Sequence, residues 1–111
     1  MTNIEALNRL CQDIPALERE VTKSSDSIED QRLAIKEIEA KHVLAGLTGK
    51  NAEERAAELK GKLAADPEAV RAKQNTRVLE QELLDARQEL SVSSHRWRVL
   101  DLATQLEIAD R

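Results

Sequence analysis

The sequence predicts an all-α protein: a long antiparallel helical hairpin, a coiled coil, with a short helix at the tip. Three observations carry this reading. Apolar residues recur every seven positions through the first arm. Leu7, Ile14, Val21, Ile28 and Ile35 form one series that His42 continues, and Leu10, Leu17, Ser24, Gln31, Ile38 and Ala45 follow three residues behind. A seam of that period lets one long helix lie along another. Second, the composition is that of helices: 34% charged residues, 1% aromatic, no Phe or Tyr and a single Trp. Glu, Lys, Arg, Ala, Leu and Gln dominate, all strong helix formers. Third, Gly46 to Lys50 ends one long arm and Asp66-Pro67 starts another of about equal length.

The first arm spans about residues 3–45, with Thr2 or Asn3 as its cap and Glu5 in its first turn. Pro15 falls inside it. A proline there removes one hydrogen bond and costs about 3 kcal/mol. The seam stays in phase across Leu10, Ile14 and Leu17, which favours a kink over a break at Asp13 or Ile14. Ser24 and Gln31 put polar groups in mid-seam, where they weaken packing but fix register. Cys11 sits beside Leu10 and is expected to be a small buried or half-buried apolar residue. As the single cysteine it excludes an internal disulfide framework, leaving an intermolecular bridge as the alternative use.

The tip covers residues 46–66. Gly46 suits a left-handed C-terminal cap. Asn51 opens a short helix, with Glu54 completing a capping-box pattern, and Leu59 and Leu63 lie on one face of it. Asp66-Pro67 is a second start signal, Asp at the cap and Pro at the first helical position.

The second arm spans about residues 67–109. Its seam reads Ala72, Thr76, Leu79, Leu83, Ala86, Leu90, Ser93, Trp97, Leu100 and Thr104. Val92, Val99, Leu102 and Leu106 form a second stripe. Two stripes imply two partners: the first arm of the same chain and a neighbouring chain. Each arm of about 43 residues would measure about 65 Å as a helix. A narrow seam buries little surface, so a lone hairpin of this size is marginal and a homo-oligomer is expected. The expected interface residues are those of the seams: Leu7, Leu10, Ile14, Leu17, Val21, Ile28, Ile35 and Ile38 with Leu79, Leu83, Leu90, Trp97 and Leu100.

Charge is uneven along the chain. Residues 1–47 carry a net −3, residues 48–78 a net +2, and residues 79–111 a net −3. The positive stretch holds Lys50, Arg55, Lys60, Lys62, Arg71, Lys73 and Arg77, which either form a solvated face or contact a partner or anion. Overall acidity, with a pI near 5.3, counts against nucleic acid as the first choice of partner.

No catalytic group, cofactor site or metal site is expected. Catalysis needs polar residues converging in a concave site, and the carboxylates here are spread along helix faces. Gly49-Lys50 resembles the end of a phosphate-binding loop, but Leu44 and Asn51 stand where that motif needs Gly and Ser or Thr. His42 and His95 lack Cys or His at ligand spacing, and His42 on the seam reads as a partly buried structural residue. Ser94-His95-Arg96-Trp97-Arg98 is an unusual cluster. Trp97 falls on the seam and is expected in the core, with Arg96 and Arg98 solvated on either side; the alternative use is an interaction hot spot or stacking on bases. The N-terminus has no basic stretch followed by an apolar run, and the longest uncharged run, His42 to Gly49, is too short to span a bilayer. A cytoplasmic protein without a membrane partner is therefore expected.

The stretch Gly46-Leu47-Thr48-Gly49-Lys50-Asn51-Ala52-Glu53-Glu54-Arg55 resembles a segment of small bacteriophage and prophage proteins. In those a long helix is followed by a Lys-Asn-x-Glu-Glu-Arg turn and another long helix. Lys50, Asn51, Glu53, Glu54 and Arg55 carry the match. The resemblance implies a companion of phage recombination and single-strand annealing genes, working in a bacterial cytoplasm. The function expected from all this is a non-enzymatic coiled-coil interaction or assembly protein, a phage accessory factor that binds a partner protein. The alternative is a nucleic-acid-binding accessory protein of recombination or replication, acting through the basic tip.

Overall fold

A computed structural model of the chain describes residues 2–110. Three helices follow one another: α1 (Asn3–Ala45), α2 (Ala52–Ala65) and α3 (Pro67–Ala109). The described residues contain no strand. The chain is an all-α antiparallel helical hairpin in which α2 follows the turn after α1. It divides into two compact units, and both long helices contribute to each.

Unit 1 joins the part of α1 up to Ser24 to the part of α3 from Gln81. The pairing is antiparallel: Asn3 Nδ2 donates to Glu107 Oε1 at 3.4 Å. Leu10 and Ala86 are buried. Leu7, Ile14, Leu17 and Val21 on α1, and Leu83, Leu90, Trp97 and Leu100 on α3, are half-buried. Thr2 caps α1, its Oγ1 accepting the Glu5 N–H at 3.2 Å.

Unit 2 covers Ser25–Glu80. Here Ile28 and Ile38 of α1, Leu63 of α2, and Ala69 and Ala72 of α3 are buried. Ile35 and Leu79 are half-buried. Ile38, Leu63 and Ala69 form one cluster, with Leu59 packed against it. Ala69 is 0% exposed, so α3 begins in close contact with its neighbours, an approach that a larger side chain would prevent. An ion pair at 3.7 Å joins Arg32 to Glu80.

Pro15 lies inside one unbroken helix, with no break at Asp13 or Ile14. Two expectations need correction. Cys11 is exposed, because one residue beyond Leu10 is about 100° around the helix from the seam. Ala45 is exposed too: α1 ends there, and the chain turns away at Gly46. The polar seam positions Ser24 and Gln31 are half-buried, as is His42.

Candidate interaction surfaces

The turn between α1 and α2 is held by backbone chemistry. Gly46 has φ +101°, the left-handed conformation that suits glycine. Its N–H donates to the Val43 carbonyl at 3.1 Å. Its own carbonyl accepts from Lys62 Nζ at 3.1 Å. The next residues lean on a single carboxylate. Glu58 accepts the Thr48 N–H at 3.0 and 2.9 Å on its two oxygens, the Thr48 hydroxyl at 3.2 Å and the Gly49 N–H at 3.0 Å. Lys62 lies 3.7 Å from it, one helical turn on. These donors, the Thr48 N–H first, hold the Glu58 carboxyl below its ordinary pKa.

Asn51 caps α2, its Oδ1 accepting the Glu54 N–H at 2.9 Å. The return bond of the capping box is displaced by one residue: Glu54 Oε2 accepts the Lys50 N–H at 2.7 Å. Gly49 has no room for a side chain, since a Cβ there would stand 2.6 Å from the Arg55 backbone nitrogen.

Asp66 caps α3 and also ties it to α1. Its Oδ1 accepts the Glu68 N–H at 2.9 Å, and its Oδ2 lies 2.8 Å from His42 Nε2. The hydrogen bond from His42 is the main reason the Asp66 carboxyl sits below its ordinary pKa.

Six of the seven tip cations, Lys50, Arg55, Lys60, Arg71, Lys73 and Arg77, are exposed. Lys62 is half-buried and committed to Gly46 and Glu58, so it belongs to the turn. Arg55 reaches the Gly49 carbonyl at 3.5 Å. The other five form no ion pair among the described residues.

In unit 1 the notable surface is apolar. Val92, Val99, Leu102 and Leu106 are between 51% and 65% exposed. Beside them His95, Arg96 and Arg98 are exposed, and Trp97, expected in the core, is half-buried. A groove runs along this side of the helix pair. Leu17 and Val92 lie along it, together with Asp13, Glu20, Asp85, Glu89 and Arg96. The described residues contain no group of three or more His, Cys, Asp or Glu side chains placed to hold a metal ion. No helix among them is long and apolar enough to cross a membrane.

Sequence reasoning missed the anchoring role of Glu58 and the His42–Asp66 contact. The signal for Glu58 was available: a glutamate one turn before a lysine, on the helix that follows a glycine-bounded loop. The contact between His42 and Asp66 spans 24 residues and follows only once the hairpin register is known. No family model, curated protein or solved structure matches this chain.

Proposed function

We propose that this chain is a non-enzymatic coiled-coil assembly protein, which associates with itself and presents its surfaces to a partner protein. The observation that supports this best is the outer face of α3, where Val92, Val99, Leu102 and Leu106 stay exposed at heptad spacing. Contiguous exposed apolar surface of this kind marks interaction sites, and its period is that of a helix–helix contact. The likeness of residues 46–55 to phage and prophage proteins supports a partner in a bacterial cytoplasm that is either a component of a DNA recombination or replication assembly or a host defence factor. Sedimentation equilibrium over a wide concentration range tests self-association. A species more massive than the 12.4 kDa chain is expected, and a monomer throughout would refute the reading.

A second reading, nucleic-acid binding through the tip, draws support from the exposed, unpaired Lys50, Lys60, Arg71, Lys73 and Arg77. It requires affinity that falls steeply with salt. A gel-shift titration at two ionic strengths separates the readings, because the assembly reading needs no shift at either.

A further inference from the structure

We propose that the outer face of α3 in unit 1 pairs with the same face of a second copy, antiparallel, about a two-fold axis passing between Leu100 and Asp101. The inference rests on the assembly reading above and adds the surface, the orientation and the register.

Val92, Val99 and Leu106 are spaced by seven, and Leu102 lies three beyond Val99. The positions that complete this second seam are His95 and Ala109. A helix presenting such a seam needs a partner whose seam interlocks with it, and in antiparallel pairs the two kinds of seam position face each other. About the stated axis, Val99 meets Leu102 of the second copy, Leu106 meets its His95, and Val92 meets its Ala109. Every apolar side chain of the stripe is covered, and only the His95 ring brings a polar atom into the seam.

Charge selects the orientation. His95, Arg96 and Arg98 lie toward one end of the stripe, and Asp101, Glu107 and Asp110 toward the other. A parallel pair would set four guanidinium groups at one level and face His95 with its own copy. The antiparallel pair carries each cationic cluster toward the acidic end of its mate. Arg96 leans toward the N-terminus of its helix, as long side chains on helices do, and in this arrangement that direction leads to Asp110 of the second copy. Among the described residues Arg96 and Arg98 make no ion pair, which leaves both free for the second copy. Trp97, half-buried and off this second seam, stays outside the contact.

Leu84 is 60% exposed but stands off this seam, whose heptad position before Val92 is Asp85, one residue and about 100° away. It therefore serves as a control of equal exposure on the same helix.

The test combines affinity and cross-linking in a Cys11→Ser background. Leu102→Asp should weaken self-association about 100-fold by burying a charge in the seam, while Leu84→Asp leaves it unchanged. Both positions are exposed in the single chain, so folding is preserved, and circular dichroism checks this. Under mild oxidation, a mixture of His95→Cys and Leu106→Cys chains should form a disulfide between unlike chains, and neither variant should cross-link alone. A His95→Cys homodimer would establish a parallel pair and overturn the proposal. So would unchanged association of Leu102→Asp, or the absence of any cross-link, in a protein that still self-associates. A wild-type chain that remains monomeric would remove the assembly reading as well, so the two failures are distinguishable.

Discussion

Glu58 concentrates more of the tip's polar chemistry than any other side chain. It takes three hydrogen atoms from Thr48 and Gly49 and faces Lys62. Because its folded pKa is depressed, its contribution is fully present above the ordinary value of 4.5 and is lost as pH falls through the lower folded value. Glu58→Gln should lower the melting temperature at pH 7. The gap to wild type should narrow as pH falls below 4.5 and close once pH passes the lower folded value, where the native carboxyl protonates as well. Melts at a series of pH values from 7 downward decide this, and a gap that does not narrow with falling pH would assign the loss to something other than the carboxylate's charge. Gly49 makes the complementary point about space. An added Cβ would meet backbone atoms at 2.6 and 2.8 Å, which cannot rotate away. Gly49→Ala should cost about 1–3 kcal/mol in chemical denaturation, the usual scale for forced overpacking.

At the scale of elements, the helices carry both a flaw and a sharply specified face. Pro15 occupies the interior of α1 on its exposed side, so a replacement there meets no packing. Pro15→Ala restores one backbone donor and relieves the ring clash, and should stabilise the fold by about 1–3 kcal/mol. Urea titration reads this directly. Ile28 is 4% exposed and neighbouring Glu29 is exposed. Ile28→Asp should therefore cost several kcal/mol, while Glu29→Lys should change stability by less than about 0.5 kcal/mol. Equal melting of the two variants would contradict the register of α1. The elements were legible from sequence because their causes are local. Asn51, Asp66-Pro67 and Gly46 act within a few residues of themselves, and a seven-residue period repeats often enough to override single exceptions. Cys11 and Ala45 fall outside the core for separate reasons. One step along a helix turns Cys11 about 100° away from Leu10, whereas Ala45 keeps the heptad phase but is the last residue of α1. Contacts such as Thr48 with Glu58, or His42 with Asp66, depend on how the chain returns on itself, which no local pattern encodes.

For the whole molecule the deciding quantity is how little is hidden. Among the described residues seven side chains are buried, Leu10, Ile28, Ile38, Leu63, Ala69, Ala72 and Ala86, and three of these are alanines. Twelve large apolar side chains among them stay exposed, up to 87% for Leu44. Burying a leucine or isoleucine fully contributes about 1.5–3 kcal/mol, so a core with only four larger buried side chains leaves a narrow margin against the entropy of ordering a 111-residue chain. Association that covers the outer face of α3 would add burial in the folded state alone. Mass action then makes stability depend on concentration: each tenfold increase adds about 1.4 kcal/mol per mole of dimer. With unfolding entropies typical of globular chains, the melting temperature should rise by about 3 °C per tenfold increase in protein. Leu102→Asp should remove that slope while leaving the melting temperature at high dilution nearly unchanged, because at high dilution the wild type is already a single chain. Calorimetry across two decades of concentration measures both quantities, and a wild-type melting temperature independent of concentration would show that the exposed face draws no stability from a second copy.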